Sequence, residues 1–83
     1  MDIAVEISLY PLSEHFGPAV HEFIGRLQAQ PDLKVVSGSL GTQVVGEYDR
    51  VFAVLQQEMR TAFAARAVEG GKAVVVMKVL GPL

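Results

Sequence analysis

Cysteine is absent from this chain, basic residues are outnumbered by acidic ones, and no apolar run is long. Without cysteine there is no disulfide framework, no thiolate metal site and no Cys-x-x-Cys metal-transfer loop. A formal net charge of −2 and a pI near 5.5 argue against nucleic acid as the main partner, because phosphate binding needs a basic face. No apolar stretch approaches the roughly 20 residues that span a bilayer. Residues 1–12 lack a basic n-region and carry Asp2 and Glu6, so no secretory leader is expected. The expectation is a soluble cytoplasmic protein.

What is present is hydrophobic surface. At 51% hydrophobic the chain has enough for a core. With 83 residues it forms one domain, residues 1–83, and buries only about 60–65% of its unfolded surface. So much apolar surface on so small a body predicts burial in an oligomer.

The clearest pattern lies at residues 3–12. Ile3, Val5, Ile7 and Leu9 alternate with Ala4, Glu6, Ser8 and Tyr10. Side chains on a strand alternate between faces, so this is a strand with one oily face and one polar face. The oily face belongs against helices. The other face aligns a carboxylate, a hydroxyl and a phenol, groups suited to a ligand site. Pro11 ends the strand.

Residues 13–18 turn into a helix, where Pro18 suits the first turn. Val20, Phe23, Ile24 and Leu27 form its apolar stripe, and Pro31 stops it near Gln30. Leu33–Ser37 is a second strand, Gly38–Gly41 a turn, and Thr42–Glu47 a third strand. Asp49 is the expected N-cap of a long second helix. Its stripe is Val51, Phe52, Leu55, Met59, Ala62 and Phe63, and Gly70-Gly71 stops it. Ala73–Val79 is nearly continuous in apolar residues and reads as a last strand buried on both faces.

The order β-α-β-β-α-β predicts an α+β, ferredoxin-like sandwich: a four-stranded antiparallel sheet with both helices on one face. The first and third strands are the central neighbours. The helix-free face must then meet solvent, a ligand or another subunit. Glu6, Ser8 and Tyr10 belong to that face. Whether Thr42, Val44 and Gly46 or Gln43, Val45 and Glu47 join them is left open by the pattern. Glu6 could instead pair with Lys78 across the sheet, Tyr10 could serve an interface, and Asp49 could be no more than a cap.

Val5-Glu6-Ile7-Ser8-Leu9-Tyr10-Pro11-Leu12, followed by Gly41-Thr42-Gln43-Val44-Val45-Gly46-Glu47-Tyr48-Asp49, resembles the small thiamine-binding, YkoF-like family. The chain departs from many members at Ser37–Gly41, which has neither aromatic nor proline. The resemblance implies a ferredoxin-like domain associating through its sheet into dimers or tetramers. It also implies non-catalytic binding of thiamine or its hydroxymethylpyrimidine precursor near the sheet or the subunit interface, with no cofactor and no metal. On that reading Glu6 or Asp49 engages the polar edge of the aminopyrimidine. Ser8 and Thr42 orient the ring, and Tyr10 or Tyr48 stacks on it. A cationic thiazolium would favour the same carboxylates and aromatic faces. Glu6→Gln is then expected to weaken pyrimidine binding more than His21→Ala.

The fold alone decides none of this. An RNA-recognition module would carry aromatics on both central strands and a basic surface. An acylphosphatase-like enzyme would want an assisting asparagine, and the chain has none. His15 and His21 miss the i, i+4 spacing of a helical metal pair and read as solvated. No nucleophile–base–orienter set is visible. The competing reading is an oligomeric or regulatory module with no small ligand.

Overall fold

A computed structural model describes residues 1–83. The alternating segment forms β1 (Asp2–Pro11), followed by α1 (Phe16–Gln28), β2 (Lys34–Gly38), β3 (Gly41–Glu47), α2 (Tyr48–Val68) and β4 (Ala73–Leu80). The sheet runs β2-β3-β1-β4, with every neighbouring pair antiparallel. The expected ferredoxin-like α+β architecture is therefore present, with β1 and β3 in the centre.

The oily face of β1 meets both helices. Ile3, Val5, Ile7 and Leu9 are buried against Phe23 and Leu27 of α1 and Val51, Val54, Leu55 and Ala62 of α2. Burial of a side chain of this size contributes about 1.5–3 kcal/mol, so this shared layer is the main stabilising element. Thr42 and Val44 point into it as well. Gln43 and Val45, opposite Glu6 and Ala4 in the register, therefore share the open face.

Local details differ from the sequence expectations. Asp49 is not the N-cap of α2. That position is Glu47, whose extended backbone leads from β3 into the helix and whose carboxylate accepts the Arg50 N–H at 3.0 Å. The α2 stripe includes Val54 and a charged residue, Glu58, while Phe63 is exposed. Glu58 is accommodated because the Arg26 guanidinium on α1 donates to it, so the ion pair joins the helices; a buried carboxylate without such a partner would be costly.

β4 is likewise not buried on both faces. Val75 and Met77 pack toward the core, but Val74, Val76 and Lys78 face outward. The strand is at the sheet edge and one face of the sheet has no cover, so its apolar run is shared between core and open face. No helix is long and apolar enough to cross a membrane.

Candidate ligand-binding site

Two central strands of unequal reach create the site. β1 pairs with β3 only as far as Ile7 opposite Thr42, yet stays paired with β4 as far as Pro11 opposite Ala73. Past Ile7, β1 runs on with no strand on its β3 side. The Ser39–Leu40 turn and the first turns of α1 flank the gap, leaving a cleft of about 490 Å³. That is within the range of small-molecule sites.

Ser8, Tyr10 and Thr42 all line this cleft. Thr42 is buried, its hydroxyl 3.5 Å from that of Ser37. The Ser8 hydroxyl donates at 3.5 Å to the Leu40 carbonyl. Tyr10 and Phe16 stand half-exposed at the rim with the far more exposed Leu40. Gly41 makes the close approach possible. Its φ of +149° strains other residues, and a Cβ there would lie 2.9 Å from the Ser8 hydroxyl. The fifteen lining residues include no Asp, Glu, Lys or Arg.

The remaining sequence candidates lie elsewhere in the monomer. Glu6 is on the open face, its carboxylate 3.9 Å from the Lys78 ammonium. It borders a shallow depression with Gln43 and Leu80. The cross-sheet pairing considered from the sequence is thus realised, though the Glu6 stem still adjoins Gly41. Tyr48 and Asp49 occupy the first turn of α2, at the opposite end of β1. There the Tyr48 N–H donates to the Met1 carbonyl at 2.9 Å, and its ring meets Phe52 edge-on at 4.9 Å.

The perturbed carboxyls also belong to that far end. A hydrogen bond from the Arg50 side chain, at 2.6 Å, holds Asp32 below the usual carboxylate range. The backbone N–H groups of Arg50 and Asp49 do the same for Glu47. Neither group faces the cleft.

His21, expected to be solvated, is exposed but lines the cleft, as do Phe16 and Leu40. A signal for His21 existed in the sequence. Gly17, Val20, His21 and Ile24 fall at i, i+3, i+4 and i+7, a stripe adjoining the buried one. Val20 and Ile24 are only partly buried and line the cleft. A smaller cavity of about 180 Å³ between the helices includes His15, Arg26 and Arg66. Both arginines are committed there: Arg26 to Glu58, Arg66 to Glu69 and the carbonyls of Lys72 and Leu12. No group of three or more potential ligands for a metal ion is present.

No family model matches the chain and no curated protein matches it. Solved structures do. A hypothetical protein from Methanocaldococcus jannascii, MJ1052, is similar with a TM-score of 0.73 at 20% identity, over 99% of this chain and 81% of that one. Protein SP2199 from Streptococcus pneumoniae gives 0.76 at 16%, over 100% and 89%. A Thermotoga maritima protein, TM0486, provisionally assigned to thiamine biosynthesis or salvage, gives 0.71 at 19%, over 99% and 85%. At these identities the likeness establishes a common fold across essentially the whole chain.

Proposed function

We propose that the protein binds an aminopyrimidine ligand, thiamine or its hydroxymethylpyrimidine precursor, in the cleft beside the free end of β1, without converting it. The observation that carries this reading is the lining itself. Hydroxyls from Ser8 and Thr42, flat rings from Tyr10 and Phe16, and an imidazole from His21 surround an apolar floor. A small heteroaromatic alcohol needs a few polar groups on a largely apolar wall. The fold shared with the Thermotoga maritima protein supports the same ligand class.

The chain has Tyr10 and Tyr48 but no tryptophan, so its intrinsic fluorescence reports on two positions. Titration with hydroxymethylpyrimidine should change the emission saturably. Tyr10→Phe should remove most of that change, and Tyr48→Phe should leave it. A signal carried by Tyr48 would move the ligand to the far end of β1.

We also infer that a second copy of the chain covers the open sheet face. Val74, Val76 and Leu80 of β4 stand there beside the Glu6–Lys78 pair, with Val36 on the opposite edge strand β2, each between 45% and 66% exposed. Apolar side chains left uncovered on the helix-free face of so small a body mark an association surface. This same face favours the alternative in which the chain is an assembly module without a ligand. Sedimentation at micromolar concentration should show a dimer or larger species, and Val76→Lys should shift it toward monomer. A wild-type monomer would contradict the inference.

A further inference from the structure

The cleft contains an unused piece of strand edge. In an antiparallel strand, the N–H and C=O of one residue point to the same side, and successive residues alternate. Three bonds fix the alternation in β1. The Leu12 N–H donates to Lys72 at 3.1 Å and the Leu83 N–H to the Asp2 carbonyl at 3.0 Å, both on the β4 side. The Tyr48 N–H donates to the Met1 carbonyl at 2.9 Å, on the β3 side. Odd-numbered residues of β1 therefore direct their peptide groups toward β3. Ile3, Val5 and Ile7 find partners there, opposite Gly46, Val44 and Thr42.

Leu9 is next, and β3 has already turned away. The residue that would oppose it is Leu40, in the turn, but no backbone bond joins the two. The following odd residue, Pro11, has no N–H, and its carbonyl accepts from the Ser13 N–H at 2.8 Å. Leu9 alone is left with a donor and an acceptor side by side, both facing the cleft that it lines. Its side chain is buried, and a strand peptide in such a place ordinarily has a partner.

We propose that the main chain of Leu9 reads the polar edge of the ligand, and that the cleft selects its uncharged form. This rests on the aminopyrimidine reading and specifies its recognition. A 4-aminopyrimidine carries a ring-nitrogen acceptor beside an exocyclic amine donor. That pair complements one extended peptide, the ring nitrogen accepting from the Leu9 N–H and the amine donating to its C=O. The ligand thus takes the place of the missing β3 residue, as strand-edge partners do. Phe16 and Tyr10 lie at the rim where a ring could stack. With neither lysine nor arginine in the lining, a phosphate would lose its hydration without a permanent counter-charge; with no carboxylate, a thiazolium would do the same. The expected order is hydroxymethylpyrimidine first, thiamine weaker and the pyrimidine phosphate weakest.

Backbone amide NMR with hydrogen exchange tests this on the unaltered protein. In the ligand-free state the Leu9 amide should exchange about a hundredfold faster than that of Ile7, which the β3 ladder protects. Saturating hydroxymethylpyrimidine should slow it and shift its resonance downfield, with smaller changes at the amides of Ser8 and Tyr10, which face β4. The analogue lacking the 4-amino group should bind about tenfold or more weakly, since it leaves the carbonyl unpaired. The phosphate ester should also lose about tenfold or more. Binding with Leu9 unchanged would overturn this inference and leave the proposed function standing, as would a Leu9 amide already protected without ligand. Absence of hydroxymethylpyrimidine binding would overturn both.

Discussion

Gly17→Trp should abolish hydroxymethylpyrimidine binding while leaving the domain folded. Gly17 is exposed in the first turn of α1 and lines the cleft. A Cβ placed there would meet no atom within 4 Å. An indole at this position can occupy the volume a pyrimidine needs without disturbing the core. Replacing glycine within a helix also removes a propensity cost of about 0.5 kcal/mol, so the melting temperature should hold or rise slightly. Affinity should fall by about a hundredfold or more, roughly 2.7 kcal/mol. Glu6→Gln is the comparison. Glu6 lies on the open face and not in the cleft lining, so the proposed site implies the opposite order to the one expected from the sequence, and this variant should stay within about twofold of wild type. If Gly17→Trp bound as well as wild type, the site would have to lie elsewhere.

Phe23→Ala should have the largest effect on stability. Phe23 is 1% exposed, among the largest fully buried side chains, and sits between α1 and the oily face of β1. Truncating a buried phenylalanine costs about 3–5 kcal/mol, part transfer and part cavity. A domain of this length is stable by about 4–12 kcal/mol in total, so between about a quarter and all of the margin would go. Urea denaturation should show a markedly lowered midpoint with an unchanged slope. Phe16→Ala separates burial from function. Phe16 is 60% exposed, so its loss should move stability by less than about 0.5 kcal/mol, yet weaken the ligand by removing a stacking face. Equal destabilisation by the two variants would contradict the placement of α1 on the sheet.

The strand at Ile3–Leu9 and the β-α-β-β-α-β order were legible because both rest on local periodicity. The alternation of period two reports which side of β1 is buried, and the 3.6-residue stripes report which sides of the helices cover it. Glu58 was not legible as a core position, because its partner Arg26 is on the other helix and no spacing within α2 announces it. The exposure of Val74 and Val76 depends on β4 being an edge strand with an uncovered face, a property of sheet order. The same run would be buried in the middle of a doubly covered sheet. Capping by Glu47 follows from β3 entering α2 without a loop, which moved the cap two residues ahead of Asp49.

The cleft follows from register, which is non-local. Ser8 and Tyr10 are candidates by their place on the polar side of β1, and Thr42 through the family resemblance. What brings them together is that β3 stops pairing at Thr42 while β1 continues to Pro11. The same register puts Glu6 beside Gln43 and Lys78 on the open face, and Tyr48 and Asp49 beyond the other end of β1. His21 and Gly17 line the cleft through the second stripe of α1, visible in the sequence only once Phe23 and Leu27 have been assigned to the core.

Calorimetric titration of the wild-type protein with hydroxymethylpyrimidine, repeated on Gly17→Trp, decides whether the cleft holds the ligand. Saturable heat at one ligand per chain, lost in the variant, is the predicted result. No heat from the wild type at millimolar ligand, or equal heat from both proteins, would contradict the assignment of the cleft beside the free end of β1.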